Sequence, residues 1–508
     1  MQNNNKKKNF QGKLKRKLKQ KVYKWHKIFA IIIVIPLLLW CLSGIMHPLM
    51  AHFFKPKIAN EILTRQPFDS GKIKIGIKEA LLKNNIAEIK NFRLVAFNGN
   101  QFYQIKTLND SIIYLDTRNA DFLSNGDKLY GEWLARYFLD DKKSAVKKQE
   151  LITRFDSQYK YVNRYIPVHK VSFEREDEIQ VYVETTTDKL ATFNPKSRQL
   201  YIWFFNTFHN WSFLDVIANE GIKIYVMLLL LSVIVFSAVS GLIIYGFFWK
   251  QFKKVKTDDS HSKWRKYHRQ TGLALAFFTV MFAFSGAFHA FQKLDKIAFE
   301  KMVYEPKYTS KSIGSEKVEQ LIKKDSFKNV SLIKYRDTAF YRVQLLNGKN
   351  DSIVYINAVS SKLNNSLDNE YAKFLAQYFN GKMQEEKNSC CEMEGASEES
   401  VDETIKETAI ITDFKNREYG FVNKRLPVVK VAFESDQNKT LFIETATSRL
   451  AAFVTDSHRV EGYSFSVFHK FLFMEWAGKD IRDLTMVIAA LGVVLVGILG
   501  LALLFKKK

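Results

Sequence analysis

Residues Trp25–His47 read WHKIFAIIIVIPLLLWCLSGIMH, and residues Tyr267–His289 read YHRQTGLALAFFTVMFAFSGAFH. In each stretch two histidines stand 21 positions apart, His26 to His47 and His268 to His289. The apolar run between them is long enough to cross a bilayer, whose core takes about 20 helical residues. Four stretches in the chain lack Asp, Glu, Lys and Arg: Ile28–Phe54, Ile224–Trp249, Gln270–Gln292 and Leu484–Phe505. They predict four transmembrane helices, the first absorbing Pro36 as membrane helices can.

The 508 residues carry a net charge of +25, from 77 basic and 52 acidic side chains. Eleven Lys/Arg and no acid fall in residues 1–27, and eight against Asp258 and Asp259 fall in 250–269. Lys506–Lys508 close the chain. The excess therefore flanks the spans on one side, which the positive-inside rule assigns to the cytoplasm. Both termini are expected inside and the two long connections outside. A nucleic-acid interface would need the excess on a folded face, so that class is excluded. Three cysteines exclude a disulfide scaffold, and 47% apolar residues exclude a disordered chain. The first span is too long for a signal peptide and no small-residue cleavage site follows Met46, so it reads as a retained helix.

The chain is one unit written twice. YVNRYIPVHKVSFEREDEIQVYVETTTDKLATF at 161–193 aligns with FVNKRLPVVKVAFESDQNKTLFIETATSRLAAF at 421–453, offset 260 without a gap. Asp110–Thr117 aligns with Asp351–Ala358, and Leu134–Phe138 with Leu375–Phe379, both at offset 241. The expected order is a basic N-terminus (1–27), a span (28–54), an external domain (55–202), a histidine-bearing interfacial segment (203–223) and a span (224–249). A basic loop (250–269) follows, then a span (270–292), a second external domain (293–460), a second interfacial segment (461–483) and the last span with its tail (484–508). Each external domain reads as α+β, with a helical pattern over Ile73–Ile89 and strands such as Val168–Phe173, Ile179–Glu184 and Lys189–Phe193. The second carries an acidic insertion, 384–403, expected to be a mobile loop.

Six of the ten histidines obey the repeat: His26 with His268, His47 with His289, and His209 with His469. Twenty-one helical residues rise about 31 Å, close to the hydrocarbon thickness. His26 and His268 are thus expected at the cytoplasmic face, and the other four near the outer face. Neutral imidazoles from two helices can hold one haem iron from opposite sides. Gly44 and Gly286, three residues before His47 and His289, would leave room for a flat ring there. On the outer side the spacing leaves the pairing open, with one haem or two. Two other readings compete: imidazoles anchoring span ends at the interface, and a bare metal site.

Lys24-Trp25-His26-Lys27 and Lys263-Trp264 with Tyr267-His268-Arg269 each open a span that ends in Ser-Gly. With Phe208-His209-Asn210-Trp211, Phe468-His469-Lys470 and the helix-then-strand pattern of Ile73–Asp116, they resemble the PepSY-associated transmembrane family. That resemblance implies a membrane α-helical bundle of four transmembrane helices in two tandem repeats, each with an extracytoplasmic α+β PepSY-like domain. It implies a multi-pass protein of the bacterial inner membrane holding haem b, two groups in all, on the six paired histidines. It further implies reduction of an external ferric chelate such as a siderophore complex. No Gly-x-Gly-x-x-Gly or Walker pattern is present, so the donor is either quinol or a separate reductase. A non-redox module binding a peptide, protease or partner is the alternative. A transporter fits parallel repeats but not spans free of charge.

Cys390-Cys391, beside Glu392 and Glu394, form a candidate metal or redox pair, against the plainer reading of incidental thiols in a polar loop. Cys41 reads as a small apolar residue mid-span. His52 has no counterpart in the second half. Asp215 and Glu475 are candidates to orient an imidazole, against the plainer reading of solvated interfacial charges.

Overall fold

The computed structural model describes residues 2–252, 260–295, 297–314, 327–347, 350–390, 403–416 and 418–505. Cys391 and most of the acidic insertion lie outside the described residues, as do 253–259 of the basic loop and the tail Lys506–Lys508. The chain divides into two compact units: Met1–Pro56 with Ser197–Ile297 and Ser457–Lys508, and Lys57–Lys196 with Ala298–Asp456.

The first unit is built on four long helices, Gln2–Phe53, Glu220–Phe252, Ser260–Phe291 and Lys479–Phe505, here the first to fourth spans. All four are long and apolar enough to cross a membrane. Each runs past its uncharged core, because polar residues at the ends of a long helix continue the backbone hydrogen bonding where water can solvate them. The first holds both Pro36 and Pro48. The first and third spans each pack along the second and fourth, and so lie diagonally opposite one another. Close approach depends on small residues: a Cβ on Gly492 would meet Leu275 Cδ1 at 2.7 Å. Ahead of the second span lie the helix Lys196–Phe208 and a short turn Ser212–Val216. Ahead of the fourth lie the helix Asp456–Ser464, a π-helical turn Phe465–His469 and a further turn Leu472–Ala477.

The second unit contains β1 (Glu88–Ile89), β2 (Asn91–Phe97), β3 (Asn100–Lys106), β4 (Ile112–Asp116), β5 (Val146–Ile152), β6 (Val168–Phe173), β7 (Gln180–Glu184) and β8 (Lys189–Asn194). From the second half come β9 (Tyr308–Thr309), β10 (Phe327–Tyr335), β11 (Thr338–Asn347), β12 (Asn350–Asn357), β13 (Leu363–Asn364), β14 (Ile405–Ile411), β15 (Val428–Phe433), β16 (Thr440–Glu444) and β17 (Arg449–Val454). Two antiparallel four-stranded sheets have the orders β5-β6-β7-β8 and β14-β15-β16-β17. The helix Gly126–Leu139 packs on the first of these and the helix Leu367–Cys390 on the second.

The expected separation into two external domains, 55–202 and 293–460, gives way to one unit. A single seven-stranded sheet, β13-β12-β11-β10-β2-β3-β4, runs through both halves. Its seam is the pairing of β2 with β10 at Arg93 and Ser331. Asn91 clamps the seam, donating to Leu332 O at 3.1 Å and accepting from Leu332 N at 3.0 Å. One apolar core, including Phe92, Tyr103, Leu332 and Tyr341, spans the junction. The helix expected over Ile73–Ile89 is also shorter, Ile77–Lys83. The N–H groups of Lys74 and Ile75 bond Thr117 O, which holds that stretch extended. Asn85 turns left-handed with φ 56°, and Glu88–Ile89 pairs with Tyr308–Thr309.

His169 is buried in this unit, its Nε2 2.7 Å from Asp127 Oδ2, while Tyr114 Oη donates to Asp127 Oδ1 at 2.9 Å. A Cβ on Gly131 would meet His169 Cγ at 2.8 Å. The aligned second-half positions are Ala372 and Val429, with Tyr355 still donating to Asp368. The glycine is therefore the complement of a larger neighbour. Gly131→Ala is expected to destabilise by about 1–3 kcal/mol as overpacking does. Adding His169→Val should recover most of that loss, and a thermal double-mutant cycle on the purified chain measures the coupling.

Candidate functional site: two imidazole pairs in the helical bundle

Of the six paired histidines, the structure brings four together as two facing pairs. At the basic end of the bundle, the rings of His26 and His268 have centroids 6.5 Å apart at 46°. At the far end, His209 and His469 have centroids 6.4 Å apart at 79°. The first pair projects from the first and third spans. The second comes from the segments ahead of the second and fourth spans.

Each ring is held through Nδ1 by a neighbouring helix. His26 Nδ1 lies 3.0 Å from Ser237 O and 3.0 Å from Ser240 Oγ on the second span. His268 Nδ1 lies 3.2 Å from Val496 O on the fourth. A carbonyl only accepts, so both Nδ1 atoms carry the proton in these contacts. At the far end His209 Nδ1 lies 3.2 Å from Ser43 Oγ, and His469 Nδ1 lies 3.1 Å from Ser285 Oγ. Ser43 gives its own proton to Leu39 O at 2.6 Å, and Ser285 to Met281 O at 2.8 Å, so both hydroxyls are acceptors for the imidazole. In all four rings the Nε2 lone pair remains, and among the described residues no Nε2 of the four makes a hydrogen bond. Fixing one ring nitrogen to orient the other is how proteins prepare an imidazole for a metal.

Glycines let the rings lie against the helix backbones. A Cβ on Gly241 would meet His26 Cε1 at 3.2 Å, and one on Gly500 would meet His268 Cε1 at the same 3.2 Å. Gly44 and Gly286 take the same role for His209 and His469, at looser distances of 3.6 and 3.9 Å. The room these two glycines were expected to leave beside His47 and His289 is thus room for a different imidazole. Gly241→Val is expected to push His26 off Ser237 and to destabilise by about 1–3 kcal/mol. Gly44→Ala, with ordinary contact to spare, should leave the melting temperature unchanged when the two variants are compared by thermal unfolding.

Aromatic stacks position the far-end pair. Trp40 stacks on Trp211 with centroids 4.9 Å apart and donates from Nε1 to His209 O at 2.9 Å. Phe282 stacks on Phe471 at 5.6 Å and 10° in the other half. Trp211 Nε1 is buried and donates to no group among the described residues. Phe205 stacks on His209 at 4.5 Å and Phe465 on His469 at 4.6 Å.

The remaining expected groups lie around these pairs. His47 packs against Phe205, with centroids 6.2 Å apart. His289 stacks on Phe465 at 4.4 Å, with its Nδ1 2.6 Å from Glu461 Oε1. Asp215 binds Lys223 and is half exposed, and the four paired imidazoles are oriented by serines and backbone carbonyls. His52 does have a partner, Asp483, at 3.0 Å. Cys41 is a free thiol half-buried in the first span. The Cys390-Cys391 pair lies outside what can be described, beyond the backbone of the helix that Cys390 ends. Among the described residues no three of His, Cys, Asp and Glu converge as a chelating group. Sequence reasoning missed Ser237, Gly241, Val496 and Gly500; the recurrence of Gly241 and Gly500 at offset 259 was the available signal.

A family model described as the PepSY-associated TM region matches residues 127–508. The chain belongs to this family. It is accordingly a multi-pass membrane protein with β-sheet, PepSY-associated domains. The family match includes His209, His268, His289 and His469, and begins after the first span. Comparison with curated proteins returns no match.

Proposed function

We propose that this chain holds one haem b between His26 and His268 and a second between His209 and His469, and serves as a membrane electron-transfer protein. The carrying observation is the pair of facing imidazoles at each end of the bundle, every one with Nδ1 restrained and Nε2 open. Two imidazoles on opposite faces of one metal, bonded at about 2.0 Å with each ring centre about 1.1 Å further out, have centres about 6.2 Å apart. The separations of 6.5 and 6.4 Å fit that arrangement. The orphaned Trp211 N–H offers a donor near the far-end pair, since Trp211 stacks on the Trp40 that binds His209 O.

When bound, haem supplies a one-electron ferric/ferrous couple. The residues set its surroundings. Ser237 O and Val496 O fix the tautomer at one end, and Ser43 and Ser285 at the other, so no proton need leave an imidazole for its Nε2 to bind. The charge distribution supports a basic end in the cytoplasm of a bacterial inner membrane, with the β-rich unit outside. In this reading electrons come from the cytoplasmic side or from quinol, and the external acceptor is a ferric chelate of the siderophore class.

The test is a reduced-minus-oxidised spectrum with a pyridine haemochrome assay on the purified chain. Two b-type haems per chain, reoxidised on adding a ferric chelate, are expected. Absence of a Soret and α band would overturn the assignment.

A further inference from the structure

At the basic end of the bundle the third and fourth spans leave a groove of about 430 Å³, lined by Lys263, Trp264, Tyr267 and Leu499. Lys263 and Tyr267 stand one turn apart on the third span, so their side chains share one face of the helix. Both are exposed, and among the described residues neither the Lys263 ammonium nor the Tyr267 hydroxyl has a hydrogen-bond or ionic partner. Leu499, itself buried, supplies an apolar wall. Neither helix offers a carboxylate here: the third span, Ser260–Phe291, holds no Asp or Glu, and the fourth holds none from Leu484 to Phe505. The nearest acids in sequence, Asp258 and Asp259, precede the helix, while Arg265, Lys266 and Arg269 add positive charge on the same turns. The anion that answers Lys263 therefore comes from outside the chain.

We propose that this groove binds one anionic phospholipid, its phosphate between the Lys263 ammonium and the Tyr267 hydroxyl and the start of an acyl chain against Trp264 and Leu499. The inference stands apart from the haem reading. Both helices are long and apolar enough to cross a membrane, and the groove lies at the end of each apolar run, where headgroups sit. Trp and Tyr favour that depth, and Lys extends its charge toward it. A zwitterionic headgroup would bring its own ammonium among cations, whereas a headgroup of net negative charge meets no such repulsion. Leu499 falls in sequence between Val496, whose carbonyl meets His268 Nδ1, and Gly500, which leaves room for the His268 ring. Tyr267 directly precedes that histidine. A lipid seated in the groove thus braces the third span against the fourth at the turn that orients His268. At the aligned first-half positions stand Lys21, Val22, Trp25 and Ser240, so the lysine recurs but the phenol and the leucine do not.

The test titrates phosphatidylglycerol or phosphatidylcholine into the full chain in maltoside micelles and counts bound lipid by native mass spectrometry. Saturable retention of phosphatidylglycerol in preference to phosphatidylcholine is expected. Lys263→Gln should weaken it about fivefold, the effect of one Lys beside an anionic headgroup. Tyr267→Phe should weaken it about threefold through loss of one hydrogen bond. Lys21→Gln, which removes the same charge at the aligned position, should leave it unchanged. The melting temperature of each variant without added lipid confirms a folded chain. Equal retention of the two lipids by the parent chain would overturn the assignment. So would equal weakening by Lys263→Gln and Lys21→Gln, which marks the diffuse attraction of a basic surface. Inorganic phosphate that displaces the lipid at matching concentration marks a free-anion site and overturns it as well. None of these outcomes depends on bound haem, so a chain without b-type bands that still selects phosphatidylglycerol through Lys263 supports the groove and overturns the haem reading alone.

Discussion

His26→Ala protein is expected to purify with one b-type haem where the parent chain carries two, and the double variant His26→Ala/His209→Ala with none. Each haem in the proposed arrangement has two imidazole ligands, one from each half of the chain. The partner of His26 is His268, 6.5 Å away, and the partner of His209 is His469, 6.4 Å away. His47→Ala and His289→Ala are expected to keep both haems, because these rings pack on Phe205 and Phe465, and Glu461 binds His289. Pyridine haemochrome per mole of protein decides the matter. Loss of a haem from His47→Ala would hand the far-end ligation to a different pair. Retention of both in His26→Ala would remove the basic-end assignment.

Asp188→Ala is expected to destabilise the β-rich unit by about 3–5 kcal/mol, the usual consequence of stranding one partner of a buried ion pair. Asp188 is 5% exposed and Arg93 7%. Arg93 binds both carboxylate oxygens, Arg65 Nε donates to Oδ2 at 2.8 Å and Tyr130 Oη donates to Oδ1 at 2.7 Å. Burial alone would raise the Asp188 pKa; the Arg93 and Arg65 guanidinium groups outweigh it and hold the carboxyl well below the usual carboxylate range. A depressed folded pKa gives stability that is fully present above the unfolded value, about 3.9, and is lost as pH falls toward the folded one. The melting temperature of the parent chain should therefore fall below about pH 4, while Asp188→Asn, less stable at neutral pH, shows a flatter acid limb. Parallel acid limbs in the two proteins would refute this attribution.

The spans were legible because hydrocarbon demands long uncharged helices, and the basic-end pair because one 21-residue spacing recurs at one depth. The far-end pair was not. His209 meets Ser43 across 166 positions of sequence, and Trp211 stacks on Trp40 across 171. Ser237 and Val496 act through backbone carbonyls, which no side-chain pattern announces. The fused sheet was hidden for a related reason: the strands of each half alternate as expected, but nothing in their period says which edge meets which.

That seam between β2 and β10 has a consequence for the protein cut in two. Either half expressed alone would carry a raw strand edge with its peptide groups unmatched, an invitation to self-association. Two copies of one half could answer it by joining edge to edge across a true two-fold axis, and so rebuild as a homodimer the platform that the intact polypeptide assembles from unlike parts.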